Sequence, residues 1–223
     1  MYEYHPDLDE PSDTDLIWRY LDFAKFTSLL DAKALFFARP TLFEDAHECL
    51  YPDEFAQSDI CGTDMQRFAK IAKETHVYVN CWSMNDYESG LLWAKYVKTN
   101  LGVAIKSTVR SLKESLVTES NVPQYIGKVR YFNPKPEELK NLFNAIYRKK
   151  PIYHDEKELR ILLFGFVPSS QATGTYVPIS VEKLIEEIYV SPKSGDWFME
   201  LVEHIVKDHY HLDKPIKRSD FDG

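Results

Sequence analysis

One stretch constrains this chain more than any other. His154, Asp155, Glu156, Lys157, Glu158, Leu159 and Arg160 run directly into Ile161, Leu162, Leu163, Phe164, Gly165 and Phe166. The apolar run predicts a strand over 158–167. Residues two apart on a strand share a face. Glu156, Glu158, Arg160, Leu162 and Phe164 then point one way, and Leu159, Ile161 and Leu163 the other. Both rows turn apolar, as in a strand covered on both faces. A carboxylate and a guanidinium at its mouth are then partly withdrawn from water, where their charges act strongly. Such a constellation reads either as a site or as a salt-bridged strand end.

The rest of the chain alternates short strands and helices without a regular βαβ rhythm, which predicts an α+β fold in a single domain, a mixed sheet with packed helices. Residues 1–15 read as a solvated acidic leader, 16–211 as the domain and 212–223 as a flexible tail. Within the domain, strands are expected near 16–20, 35–38, 76–82, 102–106, 126–132, 158–167, 175–179 and 188–191. Asp22 suits the N-cap of a helix over 23–31, with Phe23, Phe26, Leu29 and Leu30 on one face. Further helices are expected over 64–74, from Ser89 through Tyr96, over 108–116, 136–148 and 181–186, and a final amphipathic one over 195–209.

Bulk properties narrow the function. A length of 223 residues suits an ordinary domain with a proper core. The 14 Tyr, 13 Phe and 4 Trp suit a firm core and a pocket for a flat ring. A formal net charge of −8 argues against sequence-blind nucleic-acid binding, which needs a positive field. The cysteines, Cys49, Cys61 and Cys81, match no disulfide framework, which points to a reducing cytoplasm. No apolar run approaches the ~18 residues of a membrane span, and the acidic N-terminus does not read as a signal peptide.

Several familiar chemistries have no motif here. GxGxxG, GxxxxGK[ST] and GxSxG are absent from the sequence. His47 with Cys49, and His204, His209 and His211, lack zinc-ligand spacing, so no metal site is assigned. Asp155-x-Lys157 fits the acid-x-Lys piece of a metal-dependent nuclease, with Asp45 or Glu48 as a second acid. Arg19, at the end of the first strand, can fork to a phosphate, with Tyr20 beside it as a stacking surface. Trp93 and Tyr96 lie three apart on one helix face, a spacing of core packing.

Taken together, ordered blocks over about 16–211 resemble a bacterial family, domain of unknown function 2971. The carrying residues are Arg19 and Tyr20; Ala38, Arg39, Pro40, Phe43, Glu44, Asp45, Ala46 and Glu48; Leu92, Trp93 and Tyr96; and Glu156, Glu158 and Arg160. The chain departs from the family pattern at Glu44, where asparagine is usual, and at Ala46, where proline is usual. Some members are similar to abortive-infection phage-defence proteins, which implies a defence context.

The layout is also similar to ADP-ribosyltransferases that modify nucleic acid, whose catalytic glutamate ends a Glu-x-Glu pair on a late strand. That resemblance implies an ADP-ribosyltransferase-like fold and NAD as the nucleotide, with Glu158 and Glu156 catalytic. Arg19 would hold the pyrophosphate or the adenosine ribose, and Tyr20 or Trp82 would pack on nicotinamide. Arg39 would bind phosphate, Ser83 would support the glutamate, and Arg160 would belong to the cofactor-binding set or else only pair with Glu158. A nucleic-acid or protein acceptor and an antitoxin or defence-system partner are implied, with no membrane. The rival expectations are a non-catalytic sensor or partner-binding module favouring a basic partner, and the metal-dependent nuclease.

Overall fold

The computed structural model describes residues 2–43, 77–116, 122–133, 142–164 and 173–221. In chain order these form β1 (Leu16–Asp22), α1 (Phe23–Ala32), β2 (Ala34–Ala38), β3 (Val77–Ser83), α2 (Gly90–Tyr96), β4 (Gly102–Thr108), α3 (Val109–Ser115), β5 (Gln124–Lys128), β6 (Arg130–Tyr131) and α4 (Leu142–Ile146). They continue with β7 (Arg148–Lys149), a 3-10 turn at Pro151–Glu156, β8 (Glu158–Phe164), β9 (Gly174–Pro178), α5 (Val181–Leu184), β10 (Glu187–Val190), α6 (Asp196–Glu203), a π-helical turn at His204–His209 and β11 (Ile216–Arg218). Strands and helices are mixed, and both parallel and antiparallel pairings occur, so the α+β class with a mixed sheet is what the chain forms. The expected helix over 64–74 lies outside the described residues, as do His47, Cys49, Asp45 and Glu48.

The chain divides into two compact units. One contains Met1–Pro11, Phe36–Cys81 and Glu119–Tyr176, and the other Ser12–Leu35, Trp82–Thr118 and Val177–Gly223.

In the first unit, β5 and β8 pair antiparallel, with Ile126 opposite Ile161 and Gly127 opposite Arg160. Residues Glu158 to Leu163 are all buried, so this strand is covered on both faces. Val77, Val79, Ile146, Tyr147 and Leu162 form a core, with Leu8, Phe43, Cys81 and Phe143 packed against it. Fully burying one such side chain is worth about 1.5–3 kcal/mol. Residues 2–11 of the leader, read from sequence as solvated, are instead docked in this unit. The Glu3 N–H donates to the Gln124 carbonyl, the Lys128 N–H donates to the Asp9 carbonyl, and the His5 ring stacks on Phe143 at 3.8 Å. Leu8 and His5 supply the apolar surface that the surrounding acids conceal in the sequence.

In the second unit, β1 pairs antiparallel with β4 along its whole length, from Leu16 opposite Thr108 to Asp22 opposite Gly102. Beyond β4 lies β10, antiparallel, and then β11, parallel to β10. Strand alternation turns Trp18 and Tyr20 to one face, where they pack with Leu92, Trp93, Val97 and Ala104. The Asp22 carboxylate accepts from the Lys25 N–H at 2.8 Å and caps α1, which ends where Lys33 takes φ 46°. The tail beyond Leu212, expected to be loose, forms the edge strand β11. Lys217 holds Glu187 at 2.9 Å, and Arg218 holds Asp196 at 2.7 Å. The final helix is α-helical only to Glu203 before its π turn.

Candidate functional site

The site is built by a short ribbon laid against the start of β8. Strands β6 and β7 pair in parallel, with Tyr131 opposite Lys149, so both side chains reach toward one place. The Tyr131 hydroxyl accepts the Glu158 N–H at 2.7 Å. The Lys149 ammonium donates to Glu156 Oε2 at 2.9 Å and to Glu158 Oε2 at 3.0 Å. Arg160 contributes Nε to Glu158 Oε1 at 2.8 Å and Nη2 to Oε2 at 3.2 Å, and its Nη1 donates to the Ile146 carbonyl. The Phe43 ring lies 5.6 Å from the Arg160 guanidinium carbon.

The sequence placed Glu156 on the strand. In the structure it closes the 3-10 turn, and β8 begins only at Glu158. Between them Lys157 takes φ 41°, a left-handed conformation that Gly or Asn usually supplies. The kink still brings both carboxylates to one ammonium. It leaves Asp155 and Lys157 exposed, outside the cluster, and the second acids of the nuclease reading, Asp45 and Glu48, lie outside the described residues. Among the described residues no group of three His, Cys, Asp or Glu side chains is placed to hold a metal ion.

Burial decides the electrostatics. Arg160 is 0% exposed, and Glu156, Glu158 and Lys149 are each 6% exposed. Burial alone would raise the Glu158 pKa. The Arg160 charge, then Lys149, and hydrogen bonds from Arg160 and the Cys81 thiol outweigh it, and hold the carboxyl down to about 2. Glu158 is therefore an anion across the physiological range. The Tyr131 hydroxyl is pushed up, first by burial and also by the Glu158 charge, against the pull of the Glu158 N–H, so it stays neutral.

The other sequence-nominated residues fall as follows. Arg39, in the first unit, donates its N–H to the Thr173 carbonyl, and its guanidinium carbon lies 5.6 Å from the Tyr78 ring centroid. Arg19, Tyr20, Trp82 and Ser83 belong to the second unit. Arg19 sits over the Trp82 ring at 5.8 Å. The Tyr20 hydroxyl accepts the Ser89 N–H at 2.7 Å, and its ring packs edge-on against Trp93. Ser83 is buried and accepts from Asn85 Nδ2 at 2.6 Å. Thus Glu156, Glu158 and Arg160 are brought together in one unit, and Arg19 and Trp82 in the other. Lys149, Tyr131 and Cys81 escaped the sequence reading: the strands that carry Tyr131 and Lys149 are two residues long and give no periodic signal.

Chemically, the cluster presents a desolvated carboxylate that is ionised at neutral pH, held by a forked guanidinium and by an ammonium. It is suited to opposing positive charge that develops next to Glu158.

No family profile matches the chain, and no curated protein matches it. Among solved structures, it is similar to Thermus sp. 2.9 DarT in complex with NAD+, at 16% identity and TM-score 0.44, over 93% of this chain and 96% of that one. It is likewise similar to the carba-NAD+ complex of the same protein, at 14% identity and TM-score 0.43, over 94% and 97%. The complex with ADP-ribosylated ssDNA gives 15% identity and TM-score 0.43, over 95% and 96%. A likeness at this level carries no statement about this chain's chemistry. No helix among the described residues is long and apolar enough to cross a membrane.

Proposed function

We propose that this chain is an NAD-cleaving enzyme of the ADP-ribosyltransferase type, with Glu158 as its catalytic carboxylate. One observation carries the reading: Glu158 is buried yet held ionised by Arg160 and Lys149. In the reaction the bond between C1′ of the ribose and the nicotinamide nitrogen breaks, and its electron pair leaves with neutral nicotinamide. The ribosyl group then carries an oxocarbenium-like positive charge. A fixed anion stabilises that charge far better in a desolvated site than in water. A nucleophile on water, nucleic acid or protein bonds to C1′ and gives up its proton, which closes the balance.

Glu156 is assigned to steady Lys149 and orient a substrate hydroxyl. Arg39 is assigned to a substrate phosphate, and Arg19, Tyr20, Trp82 and Ser83 keep their nucleotide-binding assignments as part of the proposal. A phage-defence or toxin role, and a partner that restrains it, belong to the same proposal.

Calorimetry with NAD+ tests the binding half. Wild-type protein is expected to bind NAD+, and Arg39→Ala and Arg19→Ala to bind it more weakly. Absence of binding by folded wild-type protein would leave Glu158 as part of a structural ion network.

A further inference from the structure

Among the described residues two cations hold Glu158, and they differ in build. Arg160 is wholly buried and pinned at three points, by both Glu158 oxygens and by the Ile146 carbonyl. Its planar fork has one productive orientation. Lys149 is a single ammonium on a flexible four-carbon stem. It bridges carboxylates of two different elements, the 3-10 turn and the strand, and lies 5.1 Å from the ring centroid of half-buried Tyr153 on that turn. Its hold on Glu158 Oε2 places a positive charge at one of the two oxygens that would face a cationic ribose.

We propose that Lys149 is a resident counter-ion that Glu158 must exchange: its ammonium leaves Glu158 Oε2 for an anionic diphosphate of the substrate, and the developing ribosyl cation takes its place. This rests on the reading of Glu158 as the catalytic carboxylate, and makes Lys149 a positioning residue that couples diphosphate binding to release of Glu158. Electrostatics supply the reason. Among the described residues, Lys149 pairs with both Glu156 and Glu158 and Arg160 pairs with Glu158, so a bound diphosphate adds negative charge that the long lysine stem can follow and the three-point-held guanidinium cannot. Glu156 sets the strength of the hold, because it is the second carboxylate on the same ammonium.

The probe is inorganic pyrophosphate, which has the anion and lacks ribose and nicotinamide. Calorimetric titration of wild-type protein is expected to show binding. Lys149→Met should weaken it on the order of tenfold or more, the loss of one charge-assisted contact. Glu156→Gln should tighten it several-fold by removing a competitor for the ammonium. Because Lys149→Met takes the ammonium away from buried Glu156, the double variant Lys149→Met with Glu156→Gln removes that carboxylate's charge as well and should bind as weakly as the single one. Absent binding in the wild type, or equal affinity in wild type and both Lys149 variants, overturns the proposal. Nicotinamide release measured separately keeps the two ideas apart. Lys149-dependent pyrophosphate binding without Glu158-dependent cleavage removes the enzyme reading alone, and the converse removes the exchange alone.

Discussion

The Arg160 guanidinium grips both oxygens of Glu158, at 2.8 Å through Nε and 3.2 Å through Nη2, while itself wholly buried. The two residues are neighbours on one face of β8, so the strand itself fixes their geometry. Truncating Arg160 would take from a buried carboxylate the cation that holds both its oxygens. Arg160→Met is expected to lower unfolding stability by about 3–5 kcal/mol, as breaking a buried pair does. Urea denaturation at neutral pH measures this. A change under about 1 kcal/mol would mean that the pair is solvated in solution.

The same pair sets an acid limit. The folded protein holds the Glu158 carboxyl down at about 2, against an ordinary 4.5, so the unfolded chain takes up the proton first. The stability this contributes is fully present above pH ~4.5 and is lost as pH falls toward ~2, in all roughly 3 kcal/mol for the buried group. Urea midpoints measured from pH 6 to 2.5 should fall more steeply for wild type than for Glu158→Gln. Parallel curves would contradict the depressed value.

Beside its proposed nucleotide-binding assignment, Tyr20 anchors the start of α2 in the second unit. Its buried hydroxyl accepts the N–H of Ser89, the N-cap of α2, and burial pushes its pKa up. Tyr20→Phe leaves that donor without its partner and is expected to cost about 1–2 kcal/mol in urea denaturation. An unchanged midpoint would show that water replaces the hydroxyl.

The strand at 158–164 was legible because its two apolar rows follow a period of two, and Glu158 and Arg160 share a face for the same reason. The cap of α1 by Asp22 was legible because it is a local bond. Lys149 and Tyr131 were not legible. They sit on strands of two residues, too short for any periodicity, and act through pairing across 18 positions of chain. Glu156 was placed on the wrong element because a lysine at a left-handed turn gives no signal, unlike glycine. The leader and the tail were misread because docking through backbone bonds, a few apolar side chains and cross-strand ion pairs leaves a polar composition unchanged.

With Glu158 as the proposed catalytic carboxylate, cleavage of NAD+ depends on its charge. Release of nicotinamide from NAD+ should be followed by chromatography for wild type and Glu158→Gln, each shown to be folded by circular dichroism. Wild type is expected to release nicotinamide, and the variant to be slower by at least ~100-fold, the scale seen when a stabilising group is removed from a developing charge. Equal release by the two folded proteins would contradict it.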